Sequence, residues 1–338
     1  MSMDGLARLG TSELNVTRLG FGCVPIANLY SVVSDEDSLN TIRAAYAAGI
    51  RLFDTAPQYG HGLGEHRLGE ALRWHPRDSF LISSKVGRLL RPVPPAQADG
   101  RQFKRILPFM YDYDYSYDAV MRSIEDSLNR LGMHRIDILL VHDIDEWSHG
   151  DRWPEVLDQF MASGYRALRK LRDEGAVSAV GGGMNFIEAC QAMALRGDFD
   201  CFLLAGRYTL LEQDALDEFL PLCERRHISL MIGGPYNSGI LVTGSGNRPH
   251  YNYKPADREV IDRVRRIEAV CRSHSVPLPA AALQFPLAHR CVAAVVPGAR
   301  SVEEIEHNRG WFSHPIPKAF WQELKSEGLL RKDAPVPS

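Results

Sequence analysis

The sequence predicts an α/β chain folded as a (β/α)8 TIM barrel, a single domain spanning residues 1–338. Three observations carry that expectation. Short apolar runs alternate with helical patterns at intervals of roughly thirty to forty residues, the repeat of a βα unit. There are eight such runs, and they lack polar alternation, as strands buried on both faces require. The glycine-rich turn of a doubly wound nucleotide fold is missing: Ile26 stands near where its last glycine belongs after Gly20 and Gly22, and Phe186 stands in that place after Gly181–Gly183.

The opening stretch, LARLGTSELNVTRLG, reads as a β-hairpin turning at Gly10 to Ser12. The eight strand signals follow as RLGFGC, IRLFD, FLISSK, IDILLVH, AVSAVGGG, CFLLAG, SLMIGG and CVAAVVPG. Helical periodicity is clearest over Asp35–Ala48, Tyr117–Leu131, Pro154–Glu174 and Asp257–Ser273. One segment breaks the rhythm, a long loop after strand 3 carrying Phe103, Phe109, Tyr111, Tyr113 and Tyr115. Its length and its aromatic content predict a flap packed over the catalytic face.

Composition narrows the function classes. The 338 residues are 45% hydrophobic and 24% charged, with a net charge of −3, so no basic field calls for nucleic acid. The N-terminus lacks an apolar signal core and no window approaches a membrane span, which predicts a soluble cytoplasmic protein without a membrane partner. Six scattered cysteines without a C-x-x-C pair read as reduced core thiols, and no metal site is expected.

In a barrel the C-terminal strand ends point into the active site. Reading those ends gives Asp54, Lys85 and His142, with Tyr59 just beyond Asp54. A phenol is a poor base at neutral pH, but a neighbouring ammonium favours its ionised form, and a carboxylate can keep that ammonium charged when buried. His142 can hydrogen-bond the reacting oxygen. Tyr59 then takes a proton from an alcohol or gives one to a carbonyl. Two plainer readings compete: a structural Asp54–Lys85 salt bridge, and a metal-dependent hydrolase using Asp54 and His142. The second lacks further ligands, since Gly233 and Pro297 occupy other strand ends, and His61 and His66 read as surface residues.

With FDTAPQYG, ISSK, LLVHD, GGGMN and VVPGARSVEEIEHN, the chain resembles the aldo-keto reductase superfamily from RLGFG to Asn308. The resemblance implies an extended nicotinamide cofactor, hydride transfer to or from a carbonyl or alcohol carbon, Tyr59 as acid–base, and Asp54, Lys85 and His142 as its partners. It also implies a cofactor site of Gly22, Asn185 at the carboxamide, Pro235, Ser238 and Gly239 along the pyrophosphate, and Gly298, Arg300, Glu304 and Asn308 at the adenosine end. Three positions depart from the family pattern: Met184 replaces a serine, Ala205 a glutamine, and Gly233 the aromatic that stacks on the nicotinamide, a role Tyr236 is placed to share. Gly298 and Glu304 stand where members using the phosphorylated cofactor often carry Lys or Arg, which favours NAD, with NADP open.

Within that family KVGRLL, DYSYDAVMRSIEDSLNRLG, HDID and LLAGRYTLLEQ resemble the branch containing aldose and pyridoxal dehydrogenases. That implies oxidation of a cyclic hemiacetal, an aldose such as L-fucose or alternatively pyridoxal, to its lactone. Trp147 and Phe109 are candidates to stack on either ring. A general aldehyde or ketone reductase and a non-enzymatic channel-regulatory subunit are the remaining alternatives.

Overall fold

The computed structural model describes residues 5–246 and 249–337, and eight parallel strands form its centre. They are β1 (Phe21–Gly22), β2 (Leu52–Asp54), β3 (Leu81–Val86), β4 (Ile138–His142), β5 (Ala179–Met184), β6 (Cys201–Ala205), β7 (Ser229–Gly233) and β8 (Val292–Val296). Each pairs with the next, for example Ser83 beside Ile138 and Cys201 beside Gly181. The last and first strands close the ring through Leu19 beside Val295 and Gly22 beside Gly298, and the Gly22 N–H donates to the Pro297 carbonyl at 2.9 Å. This is the (β/α)8 barrel the apolar runs predict.

Absence of alternation has its explanation in two apolar layers. Leu52, Leu140, Cys201, Leu203 and Met231 fill the barrel interior. Their strand neighbours Phe53, Leu139, Phe202, Leu204 and Ile232 face the surrounding helices. The N-terminal hairpin pairs Leu6–Arg8 with Asn15–Thr17 and inserts Leu9 and Val16 into the interior layer. Its turn is tied to the starts of β6 and β7, Thr11 to Asp200 at 3.0 Å and the Gly10 N–H to Ser229 at 2.7 Å. That plug closes one end of the barrel and leaves the C-terminal strand ends as its open face.

The helix over Tyr117–Leu131 matches its periodicity, with Ser116 as N-cap. The expected helix Pro154–Glu174 is instead two, Trp153–Ala162 and Gly164–Asp173, broken at Ser163. A Cβ on Gly164 would lie 2.2 Å from the Tyr115 carbonyl, and Ser163 Oγ accepts the Tyr117 N–H at 2.9 Å, so the break lets two helix ends approach. The long segment after β3 is not a structureless loop: Arg88–Pro92 pairs antiparallel with Phe109–Tyr113. Among the described residues no helix is long and apolar enough to cross a membrane, and all six cysteines are buried as free thiols.

The glycine run of β5 serves packing. A Cβ on Gly181 would fall 1.7 Å from the Cys201 carbonyl, and one on Gly183 3.0 Å from Lys85 Cε. The strand is thinned so that β6 approaches closely and the Lys85 side chain can run up inside the barrel. Gly181→Ala is expected to destabilise the fold by about 3 kcal/mol, the scale of overpacking in a close-packed core. Urea denaturation of the variant beside the wild type measures it.

Candidate active site

Lys85 ends its run through the barrel surrounded by oxygen. Its ammonium donates to both Asp54 carboxylate oxygens at 2.9 and 2.8 Å and to the Thr55 carbonyl at 2.9 Å, and it lies 3.1 Å from the Tyr59 hydroxyl. Asp54 also accepts from Ser83 at 2.9 Å. The ion pair is almost wholly buried, with the lysine side chain 1% and the aspartate 4% exposed. An ammonium has no lone pair, so Lys85 can only donate to the phenol oxygen, which leaves the Tyr59 proton free for a ligand.

His142 completes the cluster. Its ring stands edge-on to Tyr59, centroids 5.9 Å apart. Burial first, then the charges of Arg88 and Lys85, hold its pKa well below the usual imidazole value, so it is neutral. The Asp143 carboxylate 3.5 Å from Nε2 favours the proton on that nitrogen, while Nδ1 is buried without a partner. Tyr59 differs from the sequence expectation. Burial, then the carboxylates of Asp54 and Asp143, push its pKa well above 10. The Lys85 charge is largely neutralised by Asp54, so the free protein holds a protonated phenol. The four catalytic candidates are nonetheless brought together.

Two confluent cavities meet at Tyr59. One, about 300 Å³, opens between His142, Trp147 and the aromatic hairpin after β3. The other, about 620 Å³, runs from Asp54 and Tyr59 past Asn185 to Asn308. Gly22, Asn185, Ser238, Gly239, Gly298, Arg300, Glu304 and Asn308 all line the larger one. Pro235 does not; it is buried beneath the loop that follows β7. In that loop Asn237, Ser238 and Gly239 are consecutively left-handed, at φ 45°, 59° and 99°, and the Asn237 Oδ1 is buried without a partner. Such strain persists where surrounding structure fixes it, and it marks ligand clamps. A long groove with a kinked, glycine-bearing wall at its middle and the helix Val302–Ser313 beginning at its far end suits an extended dinucleotide.

Some residues fall elsewhere than the sequence suggests. Tyr236 lies toward the Asn308 end of the groove, its hydroxyl donating to Asn308 at 2.5 Å. At the Asn185 end stands Tyr253, donating to Asn185 at 3.3 Å, on a small hairpin of His250–Tyr251 with Lys254–Pro255. That strap is tied down by Tyr253 N–H to Ser238 at 3.0 Å and Arg207 to Asn252 at 2.7 Å. His61 is no surface residue; it is 2% exposed and lines the smaller cavity, whereas His66 is exposed. Phe109 is taken up by the hairpin, while Trp147 lines the smaller cavity and packs edge-on to Phe186, 4.9 Å between centroids. Arg88, Asp143 and Tyr253 are the site residues that sequence reasoning missed. Only Asp143 carried a signal, as a carboxylate beside a strand-end histidine in LLVHD. One further cluster among the described residues, Glu224, His289 and Cys291, has ligand atoms within 4.8 Å of one another, but lies at the closed end with Glu224 engaged by Arg290.

Comparison with known proteins agrees with this geometry. Residues 18–327 match the model of the Aldo/keto reductase family. The chain is 43% identical to a pyridoxal 4-dehydrogenase of Microbacterium luteolum, over 95% of this chain and 97% of that protein. It is 38% identical to a D-threo-aldose 1-dehydrogenase of a Pseudomonas species, over 94% and 95%. Among solved structures it superposes on aldo-keto reductase AKR11C1 from Bacillus halodurans in its holo form, with a TM-score of 0.74, 22% identity and 98% of both chains covered.

The buried ion pair generates a double-variant test. Asp54→Asn leaves the Lys85 ammonium without its counter-charge and is expected to cost about 3–5 kcal/mol in urea unfolding. Asp54→Asn combined with Lys85→Met should lose less than the sum of the two single losses, because neither charge is then stranded.

Proposed function

The chain belongs to the aldo/keto reductase family and is an NAD(P)-dependent oxidoreductase, and on that premise we propose that it oxidises a cyclic hemiacetal, an aldose such as L-fucose, to its lactone. The observation that carries the reading is the Tyr59 hydroxyl held 3.1 Å from the buried Lys85 ammonium at the junction of the two cavities. The resemblance to a D-threo-aldose 1-dehydrogenase supports the sugar. The 43% identity to a pyridoxal 4-dehydrogenase favours pyridoxal as a second reading, with the same chemistry at the reacting carbon.

The bound nicotinamide supplies the hydride acceptor for oxidation and the donor for reduction. The remaining work falls to the chain. His142, neutral and carrying its proton on Nε2, donates to the reacting oxygen and holds it toward Tyr59. In oxidation the anomeric C–H bond breaks with its electron pair leaving as hydride, and the hydroxyl proton passes to the tyrosine oxygen as the lactone carbonyl forms. Lys85 stabilises the phenolate that must precede that transfer, and Asp54 keeps Lys85 charged. Asn185 would hold the carboxamide as donor and acceptor, and Tyr253, which donates to it at 3.3 Å, lines the same part of the groove.

We assign NAD as the preferred cofactor. Glu304 accepts from the Arg300 backbone N–H and from its Nε, both at 3.0 Å. Arg300, the one Arg or Lys that lines the groove among the described residues, is thereby paired with a carboxylate that would repel a 2′-phosphate and can accept from a 2′-hydroxyl.

Absorbance at the reduced-nicotinamide band tests the function, with NAD or NADP against L-fucose, D-arabinose, L-galactose and pyridoxal. Sugars that reduce NAD support the main reading, pyridoxal alone the second, and no turnover with any of them sinks the hemiacetal assignment. Tyr59→Phe is expected to lower kcat on the order of a thousandfold while cofactor binding, followed by quenching of protein fluorescence, stays intact. Glu304→Arg should raise the NADP-to-NAD ratio of kcat/KM by about tenfold, the scale of one charge-assisted phosphate contact; an unchanged ratio would mean Glu304 does not face the ribose.

A further inference from the structure

The smaller cavity carries a second charge pair beside the proton-transfer cluster. Arg88 leaves β3 into the aromatic hairpin, and its guanidinium carbon sits 5.2 Å from the ring centroids of both Tyr111 and Tyr113. Its Nη2 donates to Asp143 Oδ2 at 2.7 Å and lies 3.2 Å from the Ser148 hydroxyl, while Nε and Nη1 are buried without partners. The arginine side chain is 4% exposed, so it is a fixed charge behind the carboxylate and no clamp for an incoming anion.

Asp143 is held from several sides. Its backbone is left-handed, at φ 43°, an uncommon state for a residue other than glycine. The Asp143 N–H donates to the Gly183 carbonyl at 3.1 Å, and its own carbonyl accepts the Tyr115 hydroxyl at 3.1 Å. Oδ2 is engaged by Arg88. Oδ1 makes no hydrogen bond among the described residues, and the side chain lines the cavity beside Tyr59 and His142. The carboxylate therefore presents one unclaimed acceptor, Oδ1, on a group whose other oxygen, Oδ2, lies 3.5 Å from the His142 Nε2. A hydroxyl on the neighbouring carbon of a hemiacetal lies about one hydrogen-bond length from the reacting oxygen, so one sugar can engage His142 and Asp143 together.

We infer that Asp143, positioned by Arg88, reads a hydroxyl on the carbon next to the reacting one, and so selects neutral hydroxylated hemiacetals, the sugars, over substrates bearing an anionic oxygen there. The inference rests on the hemiacetal reading above and narrows it. A carboxylate accepts and cannot donate, so a vicinal hydroxyl satisfies it, whereas a phosphate or a carboxylate there is repelled; in pyridoxal the carbon next to the reacting one is a ring carbon without oxygen, which leaves Asp143 unanswered. Covering that carboxylate oxygen with a ligand that does not answer it is costly, which makes the missing hydroxyl a stronger discriminator than a missing methylene.

The experiment compares kcat/KM, with saturating NAD, for L-fucose and 2-deoxy-L-fucose in the wild type and in Asp143→Asn. The wild type is expected to prefer the hydroxylated sugar by roughly ten- to a hundredfold, the scale of a hydrogen bond to a charged group. In Asp143→Asn the loss should be about tenfold larger for L-fucose than for the deoxy sugar. Arg88→Gln should narrow the same ratio, a change that general loosening of the fold does not produce. Equal losses on the two sugars in Asp143→Asn would overturn the inference. Should that variant not fold, the wild type alone decides: similar kcat/KM for both sugars overturns it, and the expected preference supports it. A wild type that oxidises pyridoxal but neither sugar overturns the inference and the aldose reading together, and is recognised because no sugar turns over at all.

Discussion

The interaction on which the rest depends is the ion pair of Lys85 and Asp54 inside the barrel mouth. Removing an ammonium and a carboxylate from water costs several kcal/mol per ion, and their attraction repays it only when the remaining hydrogen-bonding capacity is met. Here it is met closely: both carboxylate oxygens, the Thr55 carbonyl, the Ser83 hydroxyl and the Tyr59 oxygen surround one nitrogen or its partner. Of that set Tyr59 alone stands well beyond a strand, on the turn after β2, and Thr55 directly follows Asp54. Asp54 and Lys85 stand on neighbouring strands whose register puts Asp54 beside Ser83. Barrel geometry thus fixes the charges, and the charges fix the phenol.

The chain contains two carboxylates that act on Tyr59, and they are stabilised differently. Asp54 is paid for by a lysine within the barrel; Asp143 is balanced by an arginine that arrives from the flap after β3 and is covered by its tyrosines. Both push the phenol toward its protonated form. Burial pushes the Asp143 carboxyl itself up to about 6, against the pull of Arg88. The flap therefore does more than cover the site: it delivers one of the charges that set the site's electrostatics.

Much of this was legible in the sequence, for a physical reason. Barrel strands are short, apolar on both faces and end at the active face, so Asp54, Lys85 and His142 announced themselves by position, and Tyr59 by its distance from Asp54. The groove residues were reached through resemblance and nearly all line it, with Pro235 the one that turns away. What could not be read was contact made across long sequence separations. Nothing in the sequence sets Arg88 apart from other loop arginines, because Tyr111 and Tyr113 close on it only in the fold. Tyr253 reaches Asn185 because Arg207 and Ser238 hold its hairpin over the groove. The break at Ser163 was hidden for a similar reason, since the Tyr115 carbonyl that requires it comes from another element.

The thinned strand β5 has a consequence for how such a sequence can drift. A barrel interior is normally filled by branched aliphatic side chains from every strand. Here Gly183 surrenders its share of that volume to the methylenes of Lys85. The two positions therefore form a single inherited unit: a side chain cannot be gained at 183 while the lysine stays, and a lysine once lost leaves a void that invites 183 to grow. After that exchange a return to the original pair needs two simultaneous changes. Loss of the charge at the centre of this barrel would become a one-way step, preserving the scaffold while closing the route back to its chemistry.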